Sequence, residues 1–196
     1  MKLSLILFAI VFLSFSSDNV HFATVEKVLG VPVFLFSKPV SNYEIIGKVM
    51  SFTDMLKMAA DQKSSVRKKT EKIVQIAQKR VKEEKISAFD ALIIELENDK
   101  VFAIKFKSEI STKAKIDNYG DLPVFFFNEP DEEYEIVTKL KADYSLRAER
   151  SGMLLDKIKS MVKNTLKKEK KGELEKFDAI IINPDDLSET LINFKK

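Results

Sequence analysis

The chain has 196 residues, of which 45% are hydrophobic and 15 are Phe, so it holds enough apolar surface to fill one or two cores. Its charged residues make up 32% and nearly balance, at a net charge of +3. This balance argues against a dedicated nucleic-acid-binding protein, because such proteins carry a larger basic excess. The absence of Cys excludes disulfides, thiolate metal sites and cysteine nucleophiles. We therefore expect a folded protein with no nucleic-acid partner.

The N-terminus has the pattern of a secretory signal peptide. Lys2 is followed by an uncharged apolar run at residues 3–15, and Ser14 and Ser16 are small residues placed for a cut after Ser16. An uncleaved membrane anchor is the alternative, but a helix of this length rises only about 20 Å, short of the ~30 Å hydrocarbon core. We predict a signal peptide at residues 1–16 and an exported mature chain, periplasmic or secreted, that does not span a membrane.

A long phrase occurs twice in the chain. "VPVFLFSKPVSNYEIIGKV" at residues 31–49 returns as "LPVFFFNEPDEEYEIVTKL" at residues 122–140, with nine of nineteen positions identical and an offset of 91. "FDALII" then returns as "FDAIII" at an offset of 88, so one copy has lost three residues in between. Internal repeats of this kind indicate duplication. We predict one repeat at residues 24–107, a linker at residues 108–114 and a second repeat at residues 115–196.

The first half of a repeat predicts two strands. Residues 33–36 form a short apolar run, and residues 43–50 are rich in β-branched and aromatic side chains. Pro39 lies between the two runs, so we expect a turn that joins the strands directly. The following residues 51–63 have no clear period. Three interpretations stay open for them: an extension of the strand, a helical turn or a mobile loop.

The second half of a repeat predicts a helix and a hairpin. From residue 64 the apolar positions recur every three or four residues through residue 85, which is typical of an amphipathic helix with Ser64 or Ser65 as its N-cap. "ALIIE" and the alternating "VFAIKF" follow, separated by a polar turn, and residues 183–186 form the corresponding turn of the second repeat. The predicted fold class is therefore α+β, a tandem repeat of two ββαββ units, each a small, mostly antiparallel sheet covered on one face by its helix.

The motifs "YEIIGKV", "SSVRKK" and "FDALII" with a closing strand resemble small exported bacterial ββαββ domains of unknown function. The resemblance covers residues 31–107 and 122–196. More distantly, the pattern is similar to the YbjQ-type domains labelled as heavy-metal-binding and to the core of the Rcs outer-membrane sensor lipoprotein. The resemblance implies a role in the cell envelope, such as sensing. Because the chain has no Cys and a single His, we predict no metal site and no cofactor.

Few residues point to chemistry. His21 is the only histidine and lies near the predicted cleavage site, so we expect a solvated residue rather than a catalytic one. The sequence has no Walker loop, no Rossmann glycine fingerprint and no GxSxG motif, and its five glycines leave little material for a phosphate-binding loop. Nucleotide-dependent catalysis is therefore not expected.

Four carboxylates recur in the repeats, Glu44 with Glu135 and Asp90 with Asp178. A carboxylate enzyme needs two such groups across a cleft, which is one interpretation of the pattern. The favoured interpretation is structural: both aspartates accept hydrogen bonds from backbone donors, since residues that determine a fold must be kept in both copies. The acidic stretches at residues 128–133 and 183–186 are interpreted as solvated turns, with weak calcium binding as the alternative.

The two predicted helices are basic. Residues 64–85 and 146–176 each have a net charge of +5, which leaves −7 for the rest of the chain. A solubilising helix face explains this best, and an anionic partner such as a surface glycan or lipid headgroups is the alternative. We predict an exported, non-enzymatic binding or interaction module of the bacterial cell envelope, without catalytic, cofactor-binding or metal residues. Its partner is an envelope protein or an anionic surface, and a carboxylate-dependent envelope hydrolase is the alternative.

Overall fold

The computed structural model describes residues 20–51, 65–141 and 152–195. In this part of the chain the fold is α+β, as predicted, with two helices and three mostly antiparallel sheets. The predicted signal peptide at residues 1–16 and nearly all of the segment 51–63 lie outside the described residues.

Each repeat contributes seven described strands and one described helix in the same order. The elements of the first repeat are β1 (Phe22–Val25), β2 (Lys27–Val28), β3 (Val31–Leu35), β4 (Ser37–Pro39), β5 (Tyr43–Met50), α1 (Val66–Lys82), β6 (Ala91–Glu95) and β7 (Lys100–Phe106). Those of the second repeat are β8 (Lys113–Ile116), β9 (Asn118–Tyr119), β10 (Leu122–Phe126), β11 (Asn128–Pro130), β12 (Tyr134–Leu140), α2 (Gly152–Lys170), β13 (Ala179–Ile182) and β14 (Glu189–Phe194). Five strands therefore precede each helix, where the sequence predicted two.

The boundaries of the repeats also differ from the prediction. Strand β8 begins at Lys113, so it occupies the end of the predicted linker at residues 108–114, and β1 already begins at Phe22. Both strands have only four residues, which is too short for their own pattern to identify them. Equivalent residues of the two repeats are 91 positions apart up to β5 and β12. After the helices the separation is 88, as shown by Glu84 and Gly172, which both have a positive φ. The three-residue difference therefore falls between β5 and the end of the helix.

Two five-stranded sheets form the body of the molecule. Their strand orders are β2-β3-β6-β7-β5 and β9-β10-β13-β14-β12. Strands β3 and β6 are parallel, as are β10 and β13, and the other pairs are antiparallel. The predicted hairpin of β6 with β7 is confirmed. Residues 33–36 and 43–50, predicted as two strands joined by a turn, do not pair with each other: β3 pairs with β6, and β5 pairs with β7 at the edge of the sheet.

A third sheet is shared by the two repeats. Its order is β11-β1-β8-β4, so each repeat supplies two strands and every pairing in it joins one repeat to the other. Ala23 of β1 lies opposite Ala114 of β8, and these two residues are 91 positions apart. Ala23 and Ala114 are equivalent residues of the two repeats, so they form a pair that is related to itself when one repeat is superimposed on the other. The pair therefore lies on a pseudo-two-fold axis. The repeats are therefore interlocked.

Both faces of each five-stranded sheet are covered. In β3, Val33 and Leu35 face the large core that contains both helices, whereas Phe34 packs against Ala114 of the shared sheet. Phe125 of the second repeat likewise packs with Ala23. The sequence predicts a helix on one face of each sheet, and the shared sheet covers the other face as well. A continuous apolar run such as "VPVFL" is typical of a strand that is buried on both faces.

The helices have the predicted amphipathic pattern. The N-cap of α1 is Ser65, whose Oγ accepts a hydrogen bond from the backbone N–H of Lys68 at 3.3 Å. Its buried positions include Val66, Ile73 and Ala77, which contribute to the large core. In the described part of the chain, neither helix combines the length and the apolar character needed to cross a membrane.

Candidate functional site

Two phenylalanines at equivalent positions have a left-handed backbone. Phe36 follows β3 with φ of +55° and Phe127 follows β10 with φ of +62°. A bulky residue rarely adopts this conformation, which costs about 1–3 kcal/mol. The next residue stabilises the bend in each case: Ser37 Oγ donates to the carbonyl of Leu35 at 3.5 Å, and Asn128 Nδ2 donates to that of Phe126 at 3.1 Å. The bend directs the chain from a five-stranded sheet into the shared sheet.

Around Phe127, an arginine joins the two repeats. Arg67 of α1 donates from Nη1 to Glu26 Oε2 at 2.6 Å and from Nε to Asp185 Oδ2 at 2.9 Å. Its Cζ atom lies 5.4 Å from the centroid of the Phe127 ring, within cation–π distance. We call these four residues the arginine site. The hydrogen bond to Glu26, together with that to Asp185, raises the pKa of Arg67 above its ordinary value, and burial opposes the shift.

Backbone hydrogen bonds hold the arginine site in place. The N–H of Glu26 donates to the carbonyl of Phe127 at 2.9 Å, and the N–H of Arg67 donates to the carbonyl of Pro184 at 3.2 Å. Glu26 lies between β1 and β2, whereas Pro184 lies in the turn between β13 and β14. The carboxylates therefore reach the guanidinium from two separate loops, whose positions depend on the sheets.

The equivalent place on the other side of the pseudo-two-fold axis is open. Its residues are Phe36, Glu97, Asp117 and Leu155, the counterparts of Phe127, Asp185, Glu26 and Arg67, and they line a cavity of about 380 Å³. We call these four residues and their cavity the open site. The N–H of Asp117 donates to the carbonyl of Phe36 at 3.1 Å, which repeats the bond between Glu26 and Phe127.

The open site combines flat apolar surfaces with charges. Tyr43 and Tyr119 line it together with Phe36, and Lys38 and Lys159 are its cationic side chains. Three carboxylates line the cavity, those of Glu95, Glu97 and Asp117, and within the described residues none of them takes part in an ion pair. The cavity thus offers hydrogen-bond acceptors to a ligand, next to aromatic surfaces that bury its apolar part.

The recurring aspartates have the structural role that the sequence predicts. Asp90 Oδ2 accepts a hydrogen bond from the N–H of Phe106 at 2.9 Å, and Asp178 Oδ2 accepts one from the N–H of Phe194 at 3.0 Å. Each aspartate thereby ties the start of one strand to the end of the next, and the structural interpretation of these two residues is confirmed.

The recurring glutamates lie apart from the cavity. Glu44 is exposed on β5 opposite Lys105, and Glu135 is exposed on β12 opposite Asn193. Since β5 and β12 are edge strands of two different sheets, the structure does not bring these carboxylates into the open site.

The prediction that His21 is a solvated residue is wrong. Its side chain is 14% exposed, its Nδ1 lies 2.9 Å from Glu132 Oε1, and its ring stacks on Phe194 with centroids 4.9 Å apart. The segment before β1 is held against the last strand of the second repeat, because the shared sheet places the two next to each other. Sequence position alone does not reveal this contact.

The acidic stretches make contacts within the protein. Asp131 accepts from Thr24 Oγ1 at 2.8 Å and pairs with Lys113 Nζ at 2.7 Å, while Asp185 belongs to the arginine site. Hydrogen bonds from Ser188 lower the pKa of Asp186. Over residues 20–51, 65–141 and 152–195, no group of three or more His, Asp or Glu residues is arranged to hold a metal ion.

A buried carboxyl group distinguishes the second repeat. Glu189 of β14 is 6% exposed and accepts a hydrogen bond from Thr165 Oγ1 of α2 at 2.5 Å. Burial raises the pKa of Glu189, and the bond from Thr165 and the charge of Lys168 oppose that shift. The equivalent residues of the first repeat are Val101 and Ala77, both buried.

Sequence reasoning missed both equivalent sites, although a signal was present. Glu26 and Asp117 are acidic residues 91 apart, and Glu97 and Asp185 are acidic residues 88 apart. Comparing the repeats beyond the identical positions reveals these two carboxylate pairs.

No protein-family model matches the chain, and no curated protein or solved structure is significantly similar to it. The resemblance to exported ββαββ domains therefore stays a prediction. Function is inferred from the difference between the arginine site and the open site.

Proposed function

We propose that the mature chain is an exported, non-enzymatic binding module of the bacterial cell envelope, periplasmic or secreted, and that the open site is its ligand-binding site. The observation that carries this proposal is the asymmetry of two equivalent positions. One is occupied by Arg67, and the other is a cavity of about 380 Å³ in which Leu155 replaces the arginine. A volume of this size suits a small ligand or a single side chain.

The origin of the lining residues supports a binding role. Phe36 and Tyr43 come from the first repeat, whereas Asp117, Tyr119 and Leu155 come from the second. A site at the junction of two interlocked repeats is held by both of them and needs little rearrangement to accept a ligand. The duplication therefore has a use, because a single repeat does not supply both halves of the site.

The roles of the carboxylates support binding rather than hydrolysis. Glu97 and Asp117 are the counterparts of Asp185 and Glu26, which accept hydrogen bonds from a cation in the arginine site. Asp90 and Asp178 are engaged with backbone N–H groups. The carboxylate-dependent hydrolase thus has no support from the four residues on which it was predicted, since none of Glu44, Glu135, Asp90 and Asp178 lines the open site.

The helices offer a second surface to the envelope. Lys68 and Lys82 of α1 and Lys163 and Lys167 of α2 are exposed. In this proposal they keep the module soluble or contact an envelope protein or an anionic surface. Such a contact depends on electrostatic attraction, which weakens as salt is added.

The test is a ligand screen on the purified mature chain. A panel of neutral, anionic and cationic small molecules is added, and the melting temperature is recorded for the wild type, for Leu155→Arg, which fills the cavity, and for Leu155→Met, which conserves its volume. We expect at least one class of compound to raise the melting temperature of the wild type and of Leu155→Met but not that of Leu155→Arg. If no compound does so, the proposal is wrong. Recovery of a chemically altered compound would instead support the hydrolase.

A further inference from the structure

The geometry points to arginine, free or at the C-terminus of a peptide, as the ligand of the open site, a step that rests on the proposed binding function. The two equivalent sites have the same parts: an acidic residue after the first strand, an acidic residue in the last turn and a left-handed phenylalanine. The central side chain is Arg67 in one and Leu155 in the other.

The arginine site shows how this set of groups binds a guanidinium. Glu26 and Asp185 accept hydrogen bonds of 2.6 and 2.9 Å from different nitrogens of Arg67. The planar guanidinium also lies against the ring of Phe127. These are the contacts for which a guanidinium is better suited than an ammonium, because its donors are fixed in one plane and its face stacks on an aromatic ring.

The open site has the same acceptors and lacks the donor. Glu97 and Asp117 have no ion-pair partner within the described residues, although their counterparts share one. Leu155 occupies the helix position of Arg67 but cannot donate a hydrogen bond. The cavity of about 380 Å³ beside it leaves space for a guanidinium to enter from outside the chain.

Two lysines narrow the choice of ligand. Lys38 and Lys159 line the open site, whereas the equivalent positions of the arginine site are Glu129 and Glu71. Lys159 lies one helical turn after Leu155, on the same face of α2. A ligand that carries only positive charge would pair with the carboxylates of the site but would leave these lysines without a partner. A ligand with a guanidinium at one end and a carboxylate at the other matches both sets of charges, which is the chemistry of arginine with a free carboxyl group.

Calorimetric titration of the complete mature chain tests this ligand. The probes are L-arginine, its neutral isostere L-citrulline, L-lysine, and agmatine, which has the guanidinium without the carboxylate. A peptide that ends in arginine and the same peptide with an amidated C-terminus complete the set. We expect arginine or the peptide with the free carboxylate to bind, and citrulline, lysine, agmatine and the amidated peptide to bind at least about tenfold more weakly. Tight binding of arginine alone or of the peptide alone identifies the source of the ligand.

Variants connect the binding to the open site. Glu97→Gln and Asp117→Asn should each weaken arginine binding by about tenfold or more, since each removes the charge of one acceptor. Glu129→Gln is the matched control, because Glu129 is an exposed carboxylate that bonds to Tyr134 and not to the cavity. Leu155→Arg should abolish binding and Leu155→Met should retain it. Circular dichroism spectra and melting temperatures establish that each variant is folded.

The outcomes separate this inference from the proposed function. If citrulline binds as tightly as arginine, or if Glu97→Gln and Asp117→Asn bind arginine like the folded wild type, arginine is the wrong ligand. The binding function stands in that case if another compound of the panel stabilises the wild type and not Leu155→Arg. If no compound binds at all, both the inference and the proposed function are wrong.

Discussion

Arg67 of α1 and Leu155 of α2 occupy equivalent positions, and they differ in what they do to the two sites around them. Arg67 pairs with Glu26 and Asp185, whereas Leu155 borders the cavity next to their counterparts. The arginine at one of these positions and the leucine at the other distinguish the filled site from the open one. In the proposed function, the filled site stabilises the fold and the open site binds the ligand.

We expect Arg67→Leu to reduce the free energy of unfolding by about 1–3 kcal/mol, as measured by denaturant titration. The substitution leaves Glu26 and Asp185 without their shared cation, and because both are partly exposed, water compensates for part of the loss. Arg67→Lys should recover only a fraction, since an ammonium does not reproduce two hydrogen bonds and the stacking on Phe127. Lys68→Met, at an exposed position of the same helix, is the control. Equal effects of Arg67→Leu and Lys68→Met would contradict the stabilising role.

Because the backbone of Phe127 is left-handed, the Gly variant at this position should not be less stable than the Ala variant, in contrast to an ordinary strand position. Phe127 is 1% exposed, so Phe127→Ala should cost about 3–5 kcal/mol. Phe127→Gly should be no less stable than Phe127→Ala, because glycine adopts a φ of +62° without strain. At Phe125, which is equally buried but lies inside β10 without a positive φ, glycine should be about 1 kcal/mol worse than alanine. The same order at both positions would mean that the bend at Phe127 is not strained.

The buried carboxyl group of Glu189 should make stability depend on pH. Burial raises its pKa above the ordinary value of 4.5, so the folded protein keeps this proton to a higher pH than the unfolded chain does. The free energy of unfolding should therefore fall as the pH rises from about 4.5 through the raised pKa. Glu189→Gln removes this titration, and its stability relative to the wild type should increase with pH over that window. A difference that stays constant from about pH 4 to about pH 8 would contradict the assignment.

The residues at the equivalent positions of the first repeat suggest a double variant of Glu189 and Thr165. Replacing Glu189 by Val and Thr165 by Ala recreates the buried pair Val101 and Ala77 of the first repeat. We expect the double variant to be about as stable as the wild type at neutral pH, because the removal of both members of a buried polar pair leaves no unsatisfied group, which offsets the smaller volume of Ala. Glu189→Val alone leaves Thr165 without its acceptor and should be less stable than the double variant.

The recurring glutamates should tolerate substitution. Glu44→Gln and Glu135→Gln change exposed side chains on edge strands, so their free energies of unfolding should stay within about 0.5 kcal/mol of the wild type. Ligand binding should be unchanged as well, since neither residue lines the open site. Loss of an activity by either variant, at an unchanged melting temperature, would favour the carboxylate-dependent hydrolase.

Local patterns in the sequence were sufficient for some elements and not for others. The helix after Ser65 and the hairpin of β6 and β7 depend on periodicity and turn residues over a few positions, and both were predicted. Strand β1 has only four residues, and its partners β8 and β11 belong to the other repeat, so nothing nearby in the sequence marks it. The open site unites loops and a helix that are far apart in the chain. It becomes visible only when the non-identical positions of the repeats, such as Arg67 and Leu155, are compared.

The last prediction concerns the axis that relates the repeats. Ala23 and Ala114 lie opposite each other at the centre of the shared sheet, and both are 0% exposed. Ala114 packs against the sheet of the first repeat and Ala23 against that of the second, so a larger side chain at either position pushes the shared sheet away from a different core. We expect Ala23→Leu and Ala114→Leu each to cost about 1–3 kcal/mol in denaturant titrations.

A neighbouring residue of β8 tests whether this cost comes from packing. Lys115 is exposed between the buried positions Ala114 and Ile116, so Lys115→Leu adds an apolar side chain to the same strand without entering a core. Its effect should stay within about 0.5 kcal/mol. If Lys115→Leu costs as much as Ala114→Leu, the loss does not come from close contact between the sheets. We expect Lys115→Leu to cost clearly less than Ala114→Leu, and Ala23→Leu and Ala114→Leu to cost about the same. This is the result expected if each core packs against the shared sheet at one of two equivalent alanines.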